Sequence, residues 1–226
     1  MARFDRLEVY RGLLDTGVVP LFHHADPEVA WEVLRATAAG GSPVMEFTHR
    51  GDRAHEVFAE LERRCVRELP GMRLGAGSVV DAATAGLYIN LGAAFVVAPT
   101  FDAEVARICN RRKVAYLPGC ATPTEIARAE ESGCEIVKLF PGGAAGGPAF
   151  VKALLGPSPW TRIMPTGGVA PTEDSLGAWF RAGAACVGMG SQLIRRDLVE
   201  AGDWDALTDQ VRSVIELVAR CRSTEE

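Results

Sequence analysis

The sequence predicts an α/β fold, a (β/α)8 TIM barrel with an extra N-terminal helix and a C-terminal helix. Three observations support this prediction. Short apolar, β-rich runs alternate with amphipathic stretches, eight such runs occur, and apolar residues at helical spacing follow each run. An open doubly wound sheet is the alternative fold. Because no linker-like or low-complexity segment divides the chain, we expect residues 1–226 to form a single (β/α)8 barrel domain.

The eight strands are predicted from apolar runs of four to six residues, which suit buried strands of a parallel sheet. The glycines that precede some of them support these positions. Gly92, Gly133 and Gly183 each stand four residues before a valine of a predicted strand. A glycine that ends a helix in the left-handed conformation and leads directly into a strand explains this recurrence. In order, the predicted strands are Val18–His23, Val44–Thr48, Arg73–Gly77, Phe95–Ala98, Val114–Leu117, Glu135–Phe140, Arg162–Pro165 and Cys186–Met189.

The helices are predicted from apolar residues that recur at helical spacing between the strands. The first of them follows Asp26, a residue suited to cap a helix N-terminus. Two further helices lie outside the repeat: Phe4–Asp15 would cover the barrel floor, and Trp204–Cys221 would close the chain. In order, the helices between strands are Pro27–Ala39, Arg53–Leu69, Asp81–Asn90, Asp102–Asn110, Pro123–Ser132, Ala149–Leu155 and Pro171–Ala182.

Composition and charge exclude several classes of protein. The formal net charge is −5 and no basic run is present, which argues against binding to nucleic acid. The longest apolar stretches are too short to span a membrane, and the charged N-terminus lacks the apolar core of a secretory signal. We therefore expect a cytoplasmic protein. The six cysteines form no C-x-x-C pair, so they are expected to be small buried side chains in a reducing compartment.

Lys138 is out of place in the strand predicted at Glu135–Phe140, where its neighbours are apolar. The chain has 21 arginines but only three lysines, and this lysine has the most apolar surroundings of the three. Arginine stays protonated, whereas a lysine sheltered from water can become a neutral nucleophile. Glu46 is equally out of place in Val44–Thr48. Two buried ionisable groups on separate strands favour a catalytic pair over a structural ion pair, because buried ion pairs seldom add stability.

The loops after the seventh and eighth strands are rich in glycine. Because active sites of these barrels form at the C-terminal strand ends, we expect these two loops to hold a phosphate group. Glycines let backbone N–H groups approach an anion closely, and a short helix predicted to begin near Ser191 would add a favourable dipole. The candidate residues are Thr166, Gly167, Gly168, Gly190 and Ser191.

A metal site is the alternative interpretation of the histidines. His23, His24 and His49 lie at the ends of the first two strands, near Glu46. However, adjacent His23 and His24 point to opposite faces of their strand, and His49 has the wrong parity to join Glu46. We therefore predict no metal ligands.

Together the motifs VVPLF, GGSPVMEFTHR, GAGSV, APTF, PGCATPTE, VKLFP, PTGGV and GMGS, in this order, resemble the 2-keto-3-deoxy-6-phosphogluconate / 4-hydroxy-2-oxoglutarate (KDPG/KHG) aldolases of class I. The resemblance runs from about Val18 to Ile194. It implies that Lys138 is the Schiff-base lysine, that Glu46 is the general acid/base, and that Arg50 binds the carboxylate of a 2-keto acid.

The same resemblance implies the remaining parts of the pocket and the assembly. Ser78, in GAGSV, stands where the family usually has threonine, and Pro99 and Phe140 would line the pocket. Gly167, Gly168 and Ser191 would hold a distal phosphate. No cofactor or metal is implied, and the family is typically a homotrimer. His49, Leu139 and the segment GGAAGG depart from the family pattern, which leaves the choice among gluconate-derived, galactonate-derived and 4-hydroxy-2-oxoglutarate substrates open.

Two other functions share some of these features. A phosphate-binding barrel isomerase or epimerase would need the glycine loops but not Lys138. A non-catalytic sugar-phosphate sensor would need neither the lysine nor the acid. The site positions are all occupied by residues able to react, which favours the aldolase.

Overall fold

The computed structural model describes residues 3–223 and has an α/β fold in which all strand pairs are parallel. One curled sheet contains six strands in the order β5-β4-β3-β2-β1-β9, and a second contains β6-β7-β8. The strands are β1 (Val18–Phe22), β2 (Val44–Thr48), β3 (Arg73–Gly77), β4 (Phe95–Val97), β5 (Ala115–Leu117), β6 (Gly119–Cys120), β7 (Val137–Leu139), β8 (Ile163–Pro165) and β9 (Val187–Met189).

Helices connect successive strands except β5 and β6, as the alternating pattern predicts. Thus α2 begins after Asp26, whose side chain accepts a hydrogen bond from the backbone N–H of Glu28. The helices are α1 (Arg6–Thr16), α2 (Pro27–Ala39), α3 (Ala54–Glu68), α4 (Ala82–Asn90), α5 (Ala103–Arg112), α6 (Pro123–Glu131), α7 (Gly147–Leu155), α8 (Glu173–Arg181), α9 (Arg196–Ala201) and α10 (Trp204–Ser223).

The two sheets meet at both of their edges. Between β5 and β6 only Pro118 intervenes; it has no N–H to donate, but its carbonyl accepts from the backbone N–H of Lys138 at 2.9 Å. At the other edge, a parallel bridge joins Thr166, directly after β8, to Gly188 of β9. Hydrogen bonds from Gly142 and Gly143 to the carbonyls of the loop after β8 extend the β7–β8 pairing beyond both strands.

The strands bury both of their faces, which explains why they are almost continuously apolar. One face forms a cluster with the apolar side chains of α1, among them Val9 and Leu13, while the other packs against the surrounding helices. Because α1 contacts β1, β2 and β5, it lies where the sequence predicts a floor. Among residues 3–223, no helix is long and apolar enough to cross a membrane.

Several sequence predictions are confirmed at residue level, and others need correction. Gly92, Gly133 and Gly183 have positive φ angles of 103°, 81° and 96°, as the helix-to-strand turn requires. The helix predicted near Ser191 is wrong: a single turn closes there, with the N–H of Ile194 donating to Gly190, and α9 begins only at Arg196. The short strand β6 was not predicted, because it has only two residues, follows Pro118 and begins with a glycine.

Candidate active site

The C-terminal ends of the strands surround a cavity of about 720 Å³. This is the edge of a parallel α/β sheet where ligands usually bind. Much of its wall comes from residues that the sequence singles out. These are Arg50, Phe140, Thr166, Gly167, Gly168, Gly190 and Ser191.

Lys138 and Glu46 are buried below this cavity rather than exposed in its wall. On β7, Lys138 stands two residues before Phe140, so the two side chains share one face of the strand. On β2, Glu46 stands two residues before Thr48 and four before Arg50, again on one face. Because Phe140, Thr48 and Arg50 all line the cavity, the lysine and the glutamate lie one step deeper along the same faces.

The amine of Lys138 has unusual surroundings. The residue is 6% exposed, and its Nζ lies 5.0 Å from the centroid of the Phe140 ring. Within residues 3–223 it has neither a hydrogen bond nor an ion-pair partner within 4 Å. A buried amine without a hydrogen bond or an ion pair is an unusual feature of a folded protein. This environment therefore suits a lysine that acts as a nucleophile.

Glu46 is 1% exposed, and the adjacent strand β3 leaves space for its carboxylate. A β-carbon at Gly77 would lie 2.6 Å from the Cγ of Glu46 and closer still to the carboxylate, so only glycine fits beside it. Burial raises the pKa of Glu46, while the positive charges of Lys138 and Arg50 oppose part of this effect. Its Oε2 is buried and has no hydrogen-bond partner in the part of the chain that the structure describes. Such a carboxyl group can take up and release a proton during a reaction.

The glycine loops after β8 and β9 form part of the cavity wall. Gly167 and Gly168 have positive φ angles of 83° and 80°. The loop after β7 packs directly against them: the N–H of Gly143 donates to the carbonyl of Gly167 at 2.9 Å. In contrast, the amides of Gly167, Gly168 and Ser191 donate to no acceptor within residues 3–223. Free amides in glycine-rich loops of a cavity wall suit an anionic group.

Thr166 lies on the same wall, and its surroundings depend on a glycine of the neighbouring strand. A β-carbon at Gly188 would lie 3.2 Å from the Cβ of Thr166 and closer to its hydroxyl. The Oγ1 of Thr166 is buried and lacks a partner among the described residues.

Two other predicted residues do not line the cavity. Ser78 has a left-handed backbone with φ 59° at the end of β3, and Pro99 follows β4. Their predicted roles stay predictions.

The histidines separate into two groups. As the parity of β2 predicts, His49 points away from Glu46, and its Nδ1 lies 2.8 Å from the hydroxyl of Tyr88 on α4. His23 and His24 both line the cavity. Within residues 3–223, no group of three or more His, Cys, Asp or Glu side chains is arranged to hold a metal ion.

Sequence reasoning missed several residues of the cavity wall. Arg196 and Glu200, on α9, line its outer rim and form an ion pair with Nε–Oε1 2.6 Å. Leu21 lines it from β1. Leu21 and Thr48 lie at or next to strand ends, so their position alone could have identified them. Arg196 and Glu200 gave no such signal, because α9 begins five residues later than predicted.

Comparisons with known proteins agree with this site. A family model described as KDPG and KHG aldolase matches residues 10–210. The chain is 38% identical to a 2-dehydro-3-deoxy-phosphogluconate aldolase of Pseudomonas aeruginosa, over 83% of this chain and 82% of that protein. It is 31% identical to the KHG/KDPG aldolase of Escherichia coli, over 90% of this chain and 93% of that protein.

A solved KDPG aldolase from Legionella pneumophila has the same fold, with a TM-score of 0.81 and 26% identity over 90% of this chain and 97% of that one. In that structure, pyruvate was captured at low pH as a covalent carbinolamine intermediate. These matches define the class of the protein first: it is an aldolase, a carbon–carbon lyase that forms pyruvate. More narrowly, the chain belongs to the KDPG and KHG aldolase family.

Proposed function

We propose that this protein cleaves a 2-keto-3-deoxy-6-phospho sugar acid to pyruvate and an aldehyde such as glyceraldehyde 3-phosphate, with Lys138 as the Schiff-base residue. The observation that carries the proposal is the buried amine of Lys138, which lacks a hydrogen bond or ion pair within residues 3–223 and lies near a buried carboxyl group. A lysine amine sheltered from water can form a Schiff base with a ketone.

The reaction follows from the positions of the two groups. Lys138 adds to the C2 carbonyl and loses water to form a protonated imine, which accepts electrons. Glu46 takes the proton of the C4 hydroxyl, the C3–C4 bond breaks, and the bonding pair forms an enamine at C2–C3. The aldehyde leaves, C3 takes up a proton, and water hydrolyses the imine to pyruvate and free Lys138. The raised pKa of Glu46 suits this transfer, since the group must both accept and return a proton.

The two ends of the cavity select for an anion at each end of the substrate. Arg50, in the wall above Glu46, can bind the C1 carboxylate through two N–H groups. At the other end, the amides of Gly167, Gly168 and Ser191 can receive the phosphate. This second feature favours a phosphorylated sugar acid over the shorter 4-hydroxy-2-oxoglutarate, although both contain the reactive keto and hydroxyl groups.

Closure of the fold and assembly are also part of the proposal. Because the two sheets adjoin at Pro118 and at the bridge from Thr166 to Gly188, we take them as one closed (β/α)8 barrel and as a single domain. Following the family, we expect a homotrimer. Light scattering coupled to size-exclusion chromatography tests this: a monomeric mass would contradict it.

Reduction by borohydride tests the catalytic assignment. Incubation of the protein with pyruvate and borohydride, followed by peptide mapping, should place a stable adduct on Lys138. Turnover of the phosphorylated aldol with no adduct, or with an adduct on Lys113 or Lys152, would contradict the assignment. An isomerase or a non-catalytic sensor would give neither adduct nor pyruvate.

A further inference from the structure

His23 is a cavity residue to which neither the predicted chemistry nor the anion-binding ends assigns a role. It follows β1, and β1 pairs with β2 on one side and with β9 on the other. Arg50 follows β2 and Ser191 follows β9, so the end of β1 lies between the two anion-binding ends. A side chain at this position faces the middle of an extended substrate rather than either of its charged groups.

The ring of His23 is held in place by its neighbours. It packs against the ring of Phe47, with centroids 5.6 Å apart and planes tilted by 55°. Its Nδ1 is buried and has no hydrogen-bond partner in the described part of the chain. Because the residue is only half-buried and lines the cavity, Nε2 is the nitrogen left to meet a ligand.

The charge of the ring also suits contact with a neutral group. Burial lowers the pKa of His23, the backbone of Thr48 beside the ring opposes part of this effect, and the nearby charge of Arg50 acts in the same direction as burial. The lowered pKa favours the neutral imidazole. A neutral imidazole offers one donor and one acceptor, so it pairs with a hydroxyl group better than with a phosphate.

His24 lines the same cavity but differs in its local contacts. Its Nδ1 lies 3.1 Å from the backbone N–H of Asp26 and accepts a hydrogen bond from it, and its ring lies parallel to that of Phe22. One nitrogen of His24 is therefore occupied by a hydrogen bond from the backbone just before α2. This difference makes His24 a matched control for His23.

We propose that His23 is a specificity-determining residue that binds the hydroxyl group next to the aldehyde carbon, which is the C5 hydroxyl of the intact sugar acid. This inference rests on the proposed function, in which Lys138 takes C2, Glu46 takes the C4 hydroxyl and the glycine loops take the terminal phosphate. The C5 hydroxyl is the polar group left between them, and His23 lies at the corresponding point of the wall.

The test is acceptor selectivity in the condensation direction. Pyruvate is combined either with glyceraldehyde 3-phosphate or with the analogue in which its C2 hydroxyl is replaced by hydrogen, and kcat/KM is measured for each. Both acceptors carry the phosphate, so their ratio reports the hydroxyl contact alone. The wild-type protein should prefer the hydroxylated acceptor by about 10-fold or more, because the site has a polar group to satisfy.

His23→Phe keeps the aromatic packing on Phe47 but removes both nitrogens. It should bring the ratio close to one by lowering only the rate with the hydroxylated acceptor. His23→Asn should restore part of the preference, and His24→Ala should leave it intact. Equal losses with both acceptors, an unchanged ratio in His23→Phe, or a loss of the preference in His24→Ala would overturn the proposal.

Failure of this inference and failure of the proposed function are distinguishable. Borohydride labelling of Lys138 by pyruvate needs no aldehyde acceptor. An adduct together with an unaltered ratio in His23→Phe would reject only the role of His23. The absence of an adduct in the wild-type protein would reject the proposed function itself.

Discussion

Gly77→Ala should abolish most of the activity although it replaces no reactive group. A β-carbon at this position would lie 2.6 Å from the Cγ of Glu46, whereas non-bonded carbons pack at roughly 3.5 to 4.0 Å. The Glu46 side chain would therefore have to move by about 1 Å or more. A displacement of ~1 Å can reduce a rate by about 100-fold, which corresponds to about 2.7 kcal/mol in the activation barrier. Gly77 has no positive φ angle, so the added methyl group acts through this contact.

The assay is kcat/KM for cleavage of the phosphorylated aldol, with pyruvate released into a coupled reaction, and thermal melting of each variant. Gly71→Ala is the matched control, because nothing lies within 4 Å of a β-carbon there; it should retain wild-type activity. In a Glu46→Ala background, Gly77→Ala should cause no further loss, since its effect passes through that carboxylate. A folded Gly77→Ala protein within about 3-fold of wild-type activity would refute the assignment of Glu46.

Three further predictions follow from single residues. Lys138→Arg keeps the charge but cannot supply a neutral amine, so turnover and borohydride labelling should both be lost. Retained turnover would exclude an imine at residue 138. Ser191→Ala keeps the backbone amide but removes the hydroxyl, which we expect to add a hydrogen bond to the phosphate; it should raise KM for a phosphorylated substrate by about 10-fold and leave that of its unphosphorylated counterpart unchanged, whereas equal losses would place the phosphate elsewhere. Burial raises the pKa of Glu62 to about 7, opposed in part by Arg3. The folded state then binds the proton more tightly than the unfolded chain, so stability should fall as pH rises from about 5 to 8. Glu62→Gln should remove this decline and stabilise the protein by ~2 kcal/mol at pH 8 in urea denaturation, with little effect at pH 5. A wild-type slope in this variant would contradict the prediction.

The sequence predicted the strands where their pattern was local. The bounds of β2 and β3 match the prediction, as do those of α2, because apolar runs and the Asp26 cap define them within a few residues. Parity along β2 also placed Glu46 and His49 on opposite faces, which the contact of His49 with Tyr88 confirms. These features depend on backbone geometry alone.

Other parts of the site depend on contacts between distant segments, which cannot be inferred from a local sequence pattern. The break at Pro118 depends on which partner each half of that strand pairs with: β5 pairs with β4, and β6 pairs with β7. His23 was considered only as a metal ligand, although its position beside β2 and β9 is what makes it relevant. The order of strands around the sheet supplies this information, and no local pattern contains it.

Several glycines explain why the shape of the site is difficult to predict from the sequence. Gly77 and Gly188 look like ordinary strand residues, yet each occupies a place where a side chain would displace a functional group. A β-carbon would meet Glu46 at Gly77 and Thr166 at Gly188, while Gly143 has its Cα 2.9 Å from the point where a β-carbon of Gly168 would stand. These absent side chains define the space for the carboxyl group, the hydroxyl and the free amides. A cavity of this kind is specified by pairs of residues on neighbouring strands, one reactive and one small, so substitutions at the small members should impair catalysis as strongly as substitutions at the reactive ones.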